Sequence, residues 1–210
     1  MTGTMEKIRT IDRMVAGFRA FRSTYYEQRP ERAVSLVEGA QQPEVLLIAC
    51  SDSRVDPAIL TNAEPGELFV VRNVAALVPP CEQDGAYHGT SAAIEYAVRD
   101  LKVADVIVLA HSGCGGMRAL VAARQGQKMD RPFINPWISL MGDCAGHEDD
   151  DPDPVSQSSL RRSLSNLRTF PFVRDAENAG KIALHGWWFD MREGILWQLD
   201  QESDTFVQMV

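Results

Sequence analysis

The sequence has no apolar stretch approaching the roughly 20 residues that a bilayer-spanning helix needs. Its opening segment also lacks the uninterrupted apolar core of a secretory signal, because Lys7, Arg9, Arg13 and Arg19 break up the apolar positions. Nor is there a dense basic run: 21 Lys and Arg stand against 29 Asp and Glu, a formal net charge of −8, which argues against nucleic acid as a partner. Cysteine is scarce, with four in 210 residues, and an apolar share of 45% can build a core without disulfide staples. The cysteines are therefore read as metal ligands, nucleophiles or small buried side chains. Repeats and low-complexity tracts are absent. Together these absences predict a soluble, cytoplasmic protein that binds neither membrane nor nucleic acid.

What is present alternates between helical and strand-like patterns. Met5, Ile8, Ile11, Met14, Val15, Phe18 and Phe21 recur at steps of three and four, laying an apolar stripe along an N-terminal amphipathic helix. A second short helix is expected around Glu31 to Leu36, completing a helical arm over about residues 1–40 of a single domain spanning 1–210. Val45 to Ala49 is a continuous, β-rich apolar run, the pattern of a strand buried on both faces, Val103 to Ala110 repeats that buried-strand pattern, and Gly66 to Arg72 reads as another strand. Thr90 or Ser91 is placed to cap a helix carrying Ile94, Ala97, Val98 and Leu101 on one face, and Gly115-Gly116 lead into a helix from about Met117 to Arg124. The acidic, proline-broken stretch His147 to Pro154 is expected to be an exposed loop. Beyond it, Leu160, Leu164 and Leu167 mark a helix, Phe170 to Val173 opens a shorter one ended by Gly180, and KIALHGWWFD with GILWQLD reads as a closing hairpin. The alternation predicts an α/β fold with a central, mainly parallel sheet flanked by helices.

The chemistry sits at the ends of the two most apolar strands, where open α/β sheets place their sites. Cys50-Ser51-Asp52-Ser53-Arg54 follows one, and His111-Ser112-Gly113-Cys114-Gly115-Gly116 follows the other. If these strands are neighbours, Cys50, His111 and Cys114 bring two thiolates and an imidazole to one edge, a donor set suited to Zn2+. Three protein ligands leave a fourth position open, as a catalytic zinc requires for a water whose pKa is drawn down to about 7. Asp52 can reach that open position, and Arg54 offers a planar fork that holds Asp52 ionised and keeps it from becoming the fourth ligand. Read singly, a buried cysteine is ordinarily a small core residue, and a purely structural zinc site is the alternative to a catalytic one.

The paired motif resembles the signature of β-carbonic anhydrases, and PGELFVVRNVAALVPP, GTSAAIEYAV and LSNLRTFPFV resemble further segments of that family. The likeness covers most of the chain from about Gln41 onward. It implies an α/β sheet in a homodimer or larger homo-oligomer, Zn2+ as cofactor, and carbon dioxide and bicarbonate as the reacting pair. It assigns Cys50, His111 and Cys114 as zinc ligands and Asp52 with Arg54 as the catalytic dyad. In the family's plant-like branch a glutamine nine residues before the first ligand contacts substrate, the position of Gln41, while Phe69, Val74 and Tyr96 match the apolar and phenolic residues of that pocket. The other branch places a tryptophan shortly before the first ligand at a second bicarbonate site. This chain has no tryptophan before Trp137, which points to the plant-like branch.

Two further functions fit the same residues: hydrolysis of carbon disulfide or carbonyl sulfide, and a zinc-stabilised binding module without catalysis, which loss of Asp52 or Arg54 would have favoured. Cys81 and Cys144 match no ligand position. His88, at a helix start, is a candidate proton shuttle, and His185, among bulky aromatics, reads as a packing residue.

Overall fold

Three parallel strands laid down between Val45 and His111 decide where a site can form. In the computed structural model, which describes residues 9–127, 130–142 and 151–210, β1 (Val45–Cys50) lies between β2 (Leu68–Asn73) and β3 (Asp105–His111). The apolar runs that announced β1 and β3 are buried on both faces, from Leu46 to Cys50 and from Val106 to His111. Such continuous burial is expected of parallel strands inside an α/β layer. β4 (Ala183–Asp190) adds a third parallel pairing beside β3, and β5 (Ile195–Asp200) and β6 (Thr205–Gln208) close the sheet antiparallel, in the order β2-β1-β3-β4-β5-β6. The predicted hairpin is β4 with β5. β6 was not expected, and its four largely exposed residues carry too little apolar contrast to announce it.

Helices α3 (Pro57–Thr61), α4 (Gly89–Glu95), α5 (Gly115–Arg124), α6 (Ile134–Ser139), α7 (Pro152–Leu167) and α8 (Pro171–Asn178) connect the strands. α4 runs on as a π-helical turn over Tyr96–Leu101, burying Ile94 and Ala97 as the spacing implied. Its cap differs from expectation: His88 holds the cap position, and the Thr90 hydroxyl accepts a hydrogen bond from Asn73 at 3.3 Å instead. α8 ends as predicted, with Gly180 at φ +65° and the Lys181 N–H returning to Ala176 at 2.9 Å.

The expected loop from His147 to Pro154 is corrected in its described part. Asp151 caps α7 by accepting the Asp153 N–H at 3.0 Å, and Pro152 takes the first helical position, where its missing N–H costs no hydrogen bond. Asp153 is buried. Met5, Ile8, Cys144 and His147 lie outside the described residues.

The chain divides into two compact units, one ending at Gln41 and the other running Gln42–Val210. The first contains α1 (Thr10–Arg22), a π-helical turn (Ser23–Glu27) and α2 (Pro30–Glu38). Along α1, Ile11, Met14, Val15 and Phe18 stand exposed, so the predicted apolar stripe is present and uncovered. No described helix is long and apolar enough to cross a membrane.

Candidate active site

From β1 the chain crosses to β2 on one side, and β3 then takes the other. The carboxyl ends of β1 and β3 therefore border the point where the sheet's winding reverses, the crevice in which open α/β folds place ligands. Cys50 ends β1, His111 ends β3, and Cys114 immediately precedes α5. Their donor atoms lie within 4.8 Å of one another and all three residues are buried; among the described residues no other group of His, Cys, Asp and Glu forms such a cluster.

The two sulfurs are 4.0 Å apart. His111 Nδ1 donates to the Ser112 carbonyl at 2.9 Å, which leaves the lone pair on Nε2, and that atom is buried without a hydrogen-bond partner. An orphaned buried imidazole nitrogen is costly. Set beside two sulfurs, it fits a metal ion, and the donors suit zinc in both softness and number.

The cluster is poised to lose protons to a cation. Cys50 is pulled well below the ordinary thiol range by the adjacent Cys114 thiol, a pull that outweighs burial with help from His111 and the N–H groups of Asp52 (3.4 Å) and Ala75 (3.3 Å). Cys114 is pushed up by its hydrogen bond to Cys50 and by burial. Burial draws His111 down, but the Cys50 thiolate outweighs it and the net shift is upward. The thiol pair therefore gives up its first proton more readily than its second, and a bound cation would favour the loss of both.

Asp52 stands outside the cluster because Arg54 holds it. Arg54 Nε donates to Oδ1 at 2.9 Å, Nη2 to Oδ2 at 2.7 Å, and the Arg54 N–H to Oδ1 at 3.0 Å. This bidentate pair drives Asp52 far below the ordinary carboxylate range, so it is ionised near neutrality. The structure thus pairs Asp52 with Arg54 as an ion pair.

Three supporting residues went unrecognised in the sequence. Arg72 donates to the carbonyls of Cys50 (3.0 Å) and Asp52 (2.7 Å) and to Asp56 Oδ2 (2.8 Å), stitching the loop after β1 to β2. Asn73 brackets the next turn, giving Nδ2–H to the Leu77 carbonyl at 2.8 Å and accepting the Leu77 N–H at 2.9 Å. Within that turn Ala75 and Ala76 have φ of +70° and +54°, a left-handed conformation that costs roughly 1–2 kcal/mol per non-glycine residue. Trp137 braces it by donating its indole N–H to the Val74 carbonyl at 2.8 Å. Gly116, in the first turn of α5, completes the packing: a Cβ there would lie 2.9 Å from Ala75 Cβ and 3.0 Å from Val74 Cγ1.

The expected pocket residues divide. Val74 is in the turn that donates to Cys50, whereas Phe69 pairs with Leu46, four residues down β1 from Cys50 and about 13 Å away at roughly 3.3 Å per residue. Tyr96 accompanies Phe69, their ring centroids 5.8 Å apart. Gln41 is the exposed last residue of the first unit. Outside the site, His88 meets Asp84 at 2.6 Å and His185 meets Asp105 at 2.7 Å, so each imidazole has a carboxylate partner away from the cluster. Cys81 is partly buried and also stands apart from it.

The family profile for carbonic anhydrase matches residues 45–196. The chain is 37% identical to a carbonic anhydrase of Pseudomonas aeruginosa over 93% of this chain and 90% of that one. It is 34% identical to a carbonic anhydrase of Synechococcus elongatus (91% and 72% covered) and 33% identical to β carbonic anhydrase 3 of Arabidopsis thaliana (92% and 79% covered). Among solved structures, the β-carbonic anhydrase CcaA superposes with a TM-score of 0.85 at 30% identity, covering 95% of this chain and 92% of that one. A structure from a study of two tetrameric β-carbonic anhydrases of Sordaria macrospora gives 0.77 at 26% identity, covering 96% and 99%.

Proposed function

This chain belongs to the β class of the carbonic anhydrase family, and from that membership we propose that it interconverts carbon dioxide and bicarbonate at a zinc ion held by Cys50, His111 and Cys114. The observation that carries the reading is the buried convergence of two sulfurs with an imidazole nitrogen that has no other partner. Zinc in a three-ligand site supplies Lewis acidity, and with it a hydroxide nucleophile near neutral pH. The protein supplies the rest. The Ser112 carbonyl fixes the His111 tautomer, and the N–H groups of Asp52 and Ala75 sustain the charge on Cys50. Arg54 withholds Asp52 from the ligand cluster, so the ionised carboxylate remains free as a hydrogen-bond acceptor that would orient a nucleophile supplied at the site. Carbon dioxide and water give bicarbonate and one proton, which passes to buffer.

The substrate pocket is read as shared between copies. Val74 serves its own chain, while Phe69 and Tyr96, a strand's length from the Cys50–His111–Cys114 cluster of their own chain, serve a second copy; Gln41 is assigned to substrate contact by the family resemblance alone. The exposed stripe on α1 supports a homo-oligomer, since a second copy would cover Ile11, Met14 and Phe18, exposed by 58%, 62% and 64%. The tetrameric description of the Sordaria proteins agrees with that assembly. The absence of tryptophan ahead of Cys50 supports the plant-like branch, without a separate bicarbonate site. Stopped-flow hydration of carbon dioxide, with elemental analysis of the same sample, tests the proposal. One zinc per chain with rapid hydration is expected; a fully zinc-loaded oligomer without hydration would leave a binding module and refute the enzymatic reading.

A further inference from the structure

Between the second and third ligands lies a hinge that neither its own conformation nor its packing can fix. Gly113 adopts φ +62°, a region glycine enters freely, and a Cβ there would meet only Met191 Cε at 3.7 Å. Hydrogen bonds hold it instead. The Gly113 N–H donates to Asp153 Oδ1 at 2.6 Å, and its carbonyl accepts from Arg54 Nη2 at 3.4 Å.

Asp153 has a side chain only 8% exposed, and its other oxygen faces Arg192 Nη1 at 2.9 Å, a charge contact without hydrogen-bond alignment. One helical turn further on, Ser156 Oγ donates to the His111 carbonyl at 3.0 Å. From the opposite side, Ser112 donates its N–H to the Phe189 carbonyl at 2.9 Å and accepts the Met191 N–H on Oγ at 2.8 Å. The ligand loop is therefore clamped between the first turn of α7 and the end of β4.

A neutral acceptor would satisfy one glycine N–H, and burying a carboxylate for that purpose alone is costly. What the charge adds is stiffness, because charge-assisted hydrogen bonds are shorter and roughly twice as strong as neutral ones. We propose that Asp153, braced by Arg192, is a positioning residue of this metal site. By fixing the Gly113 hinge it sets the spacing of His111 and Cys114 and the carbonyl that steadies Arg54. It touches neither the ligand atoms nor the substrate. The proposal rests on the assignment of Cys50, His111 and Cys114 as zinc ligands.

The test compares the full-length parent with Asp153→Ala, Asp153→Asn and Arg192→Ala, measuring zinc dissociation constants by chelator competition and the visible spectrum of the Co2+-substituted proteins. Loss of a group hydrogen-bonded directly to a ligand commonly weakens metal binding about 10–100-fold; Asp153 acts one residue removed, through Gly113, so the low end, about tenfold, is expected for Asp153→Ala together with a changed cobalt spectrum. Asp153→Asn keeps an acceptor but loses the charge, and should fall between the alanine variant and the parent. Arg192→Ala, altering a side chain 66% exposed, should show a smaller loss in the same direction. A folded Asp153→Ala variant with the parent's zinc constant and spectrum would overturn the proposal, even if its melting temperature fell. Should that variant not fold, parent-like constants and spectra in both Asp153→Asn and Arg192→Ala would overturn it equally. A parent that fails to bind zinc would defeat the ligand assignment itself, whereas a zinc-binding parent with unresponsive variants defeats only the role of Asp153.

Discussion

Replacing Gly116 with alanine sets two well-characterised effects against each other at the edge of the metal site. On helix propensity alone, Gly→Ala within a helix is stabilising by up to about 1 kcal/mol, and by less near the first turn. The structure predicts the opposite sign. The added methyl would lie 2.9 Å from Ala75 Cβ and 3.0 Å from Val74 Cγ1, so one of the elements must move. Overpacking of this kind costs about 1–3 kcal/mol. The turn has little freedom to yield, being bracketed by Asn73, tied to Trp137 and already left-handed at Ala75 and Ala76. A net loss of about 1–2 kcal/mol follows, or roughly 2–8 °C in melting temperature for a chain of this size. Because the Ala75 N–H donates to Cys50 at 3.3 Å, any yielding of the turn also disturbs the thiolate, and zinc affinity should fall about tenfold. Thermal denaturation and chelator competition on the same variant read both effects. A Gly116→Ala variant as stable as the parent, with unchanged zinc affinity, would refute the claim that this contact holds the turn.

Asp52→Asn should keep its zinc while hydration falls about 10²–10⁴-fold, the usual contribution of an orienting or proton-accepting group; metal analysis beside stopped-flow rates checks it. Arg54→Ala should release Asp52 to enter the metal's open position, giving low activity near neutrality and a cobalt spectrum of a closed site; an unchanged spectrum and rate would reduce the pair to a surface ion bridge. The depressed Asp52 pKa sets a pH signature: the pair's contribution to stability is fully present above the ordinary carboxylate value of about 4 and fades only as pH falls well below it. The stability difference between parent and Asp52→Asn should therefore be level from neutrality down to about pH 4 and shrink below; a step near neutrality would contradict it. Dehydration rates should rise hyperbolically with bicarbonate, and strong sigmoidality would favour the branch with a second bicarbonate site. Light scattering at assay concentration should find a homo-oligomer, and a fully active monomer would exclude a pocket completed by a second copy.

The Cys50–His111–Cys114 cluster was legible because soft donors followed two apolar runs with the pattern of buried parallel strands, and a parallel sheet gathers its strand ends at one edge. Arg54 could be paired with Asp52 because they are two residues apart. Asp153, Trp137 and Arg72 were not legible, since each acts on a partner brought close only by the fold: Gly113, Val74 and the loop after Cys50. One signal was available for Asp153. Asp151-Pro152 is a helix-start pair, but proline and dense acidity drew the segment toward a loop instead. Phe69 and Tyr96 show the converse: resemblance selected them for the pocket, while the strand register sets them apart from the Cys–His–Cys cluster of their own chain.

X-ray absorption at the zinc edge of the purified protein near neutral pH tests the central claim most directly, because it reads the donor set without relying on turnover. Two sulfurs at about 2.3 Å, one imidazole nitrogen at about 2.0–2.1 Å and a single light, non-imidazole scatterer completing a four-coordinate shell are predicted, with one sulfur lost in Cys50→Ser and in Cys114→Ser. A shell of four sulfurs, a shell with no sulfur, or a parent-like spectrum in both serine variants would contradict the assignment of Cys50, His111 and Cys114 as the ligands.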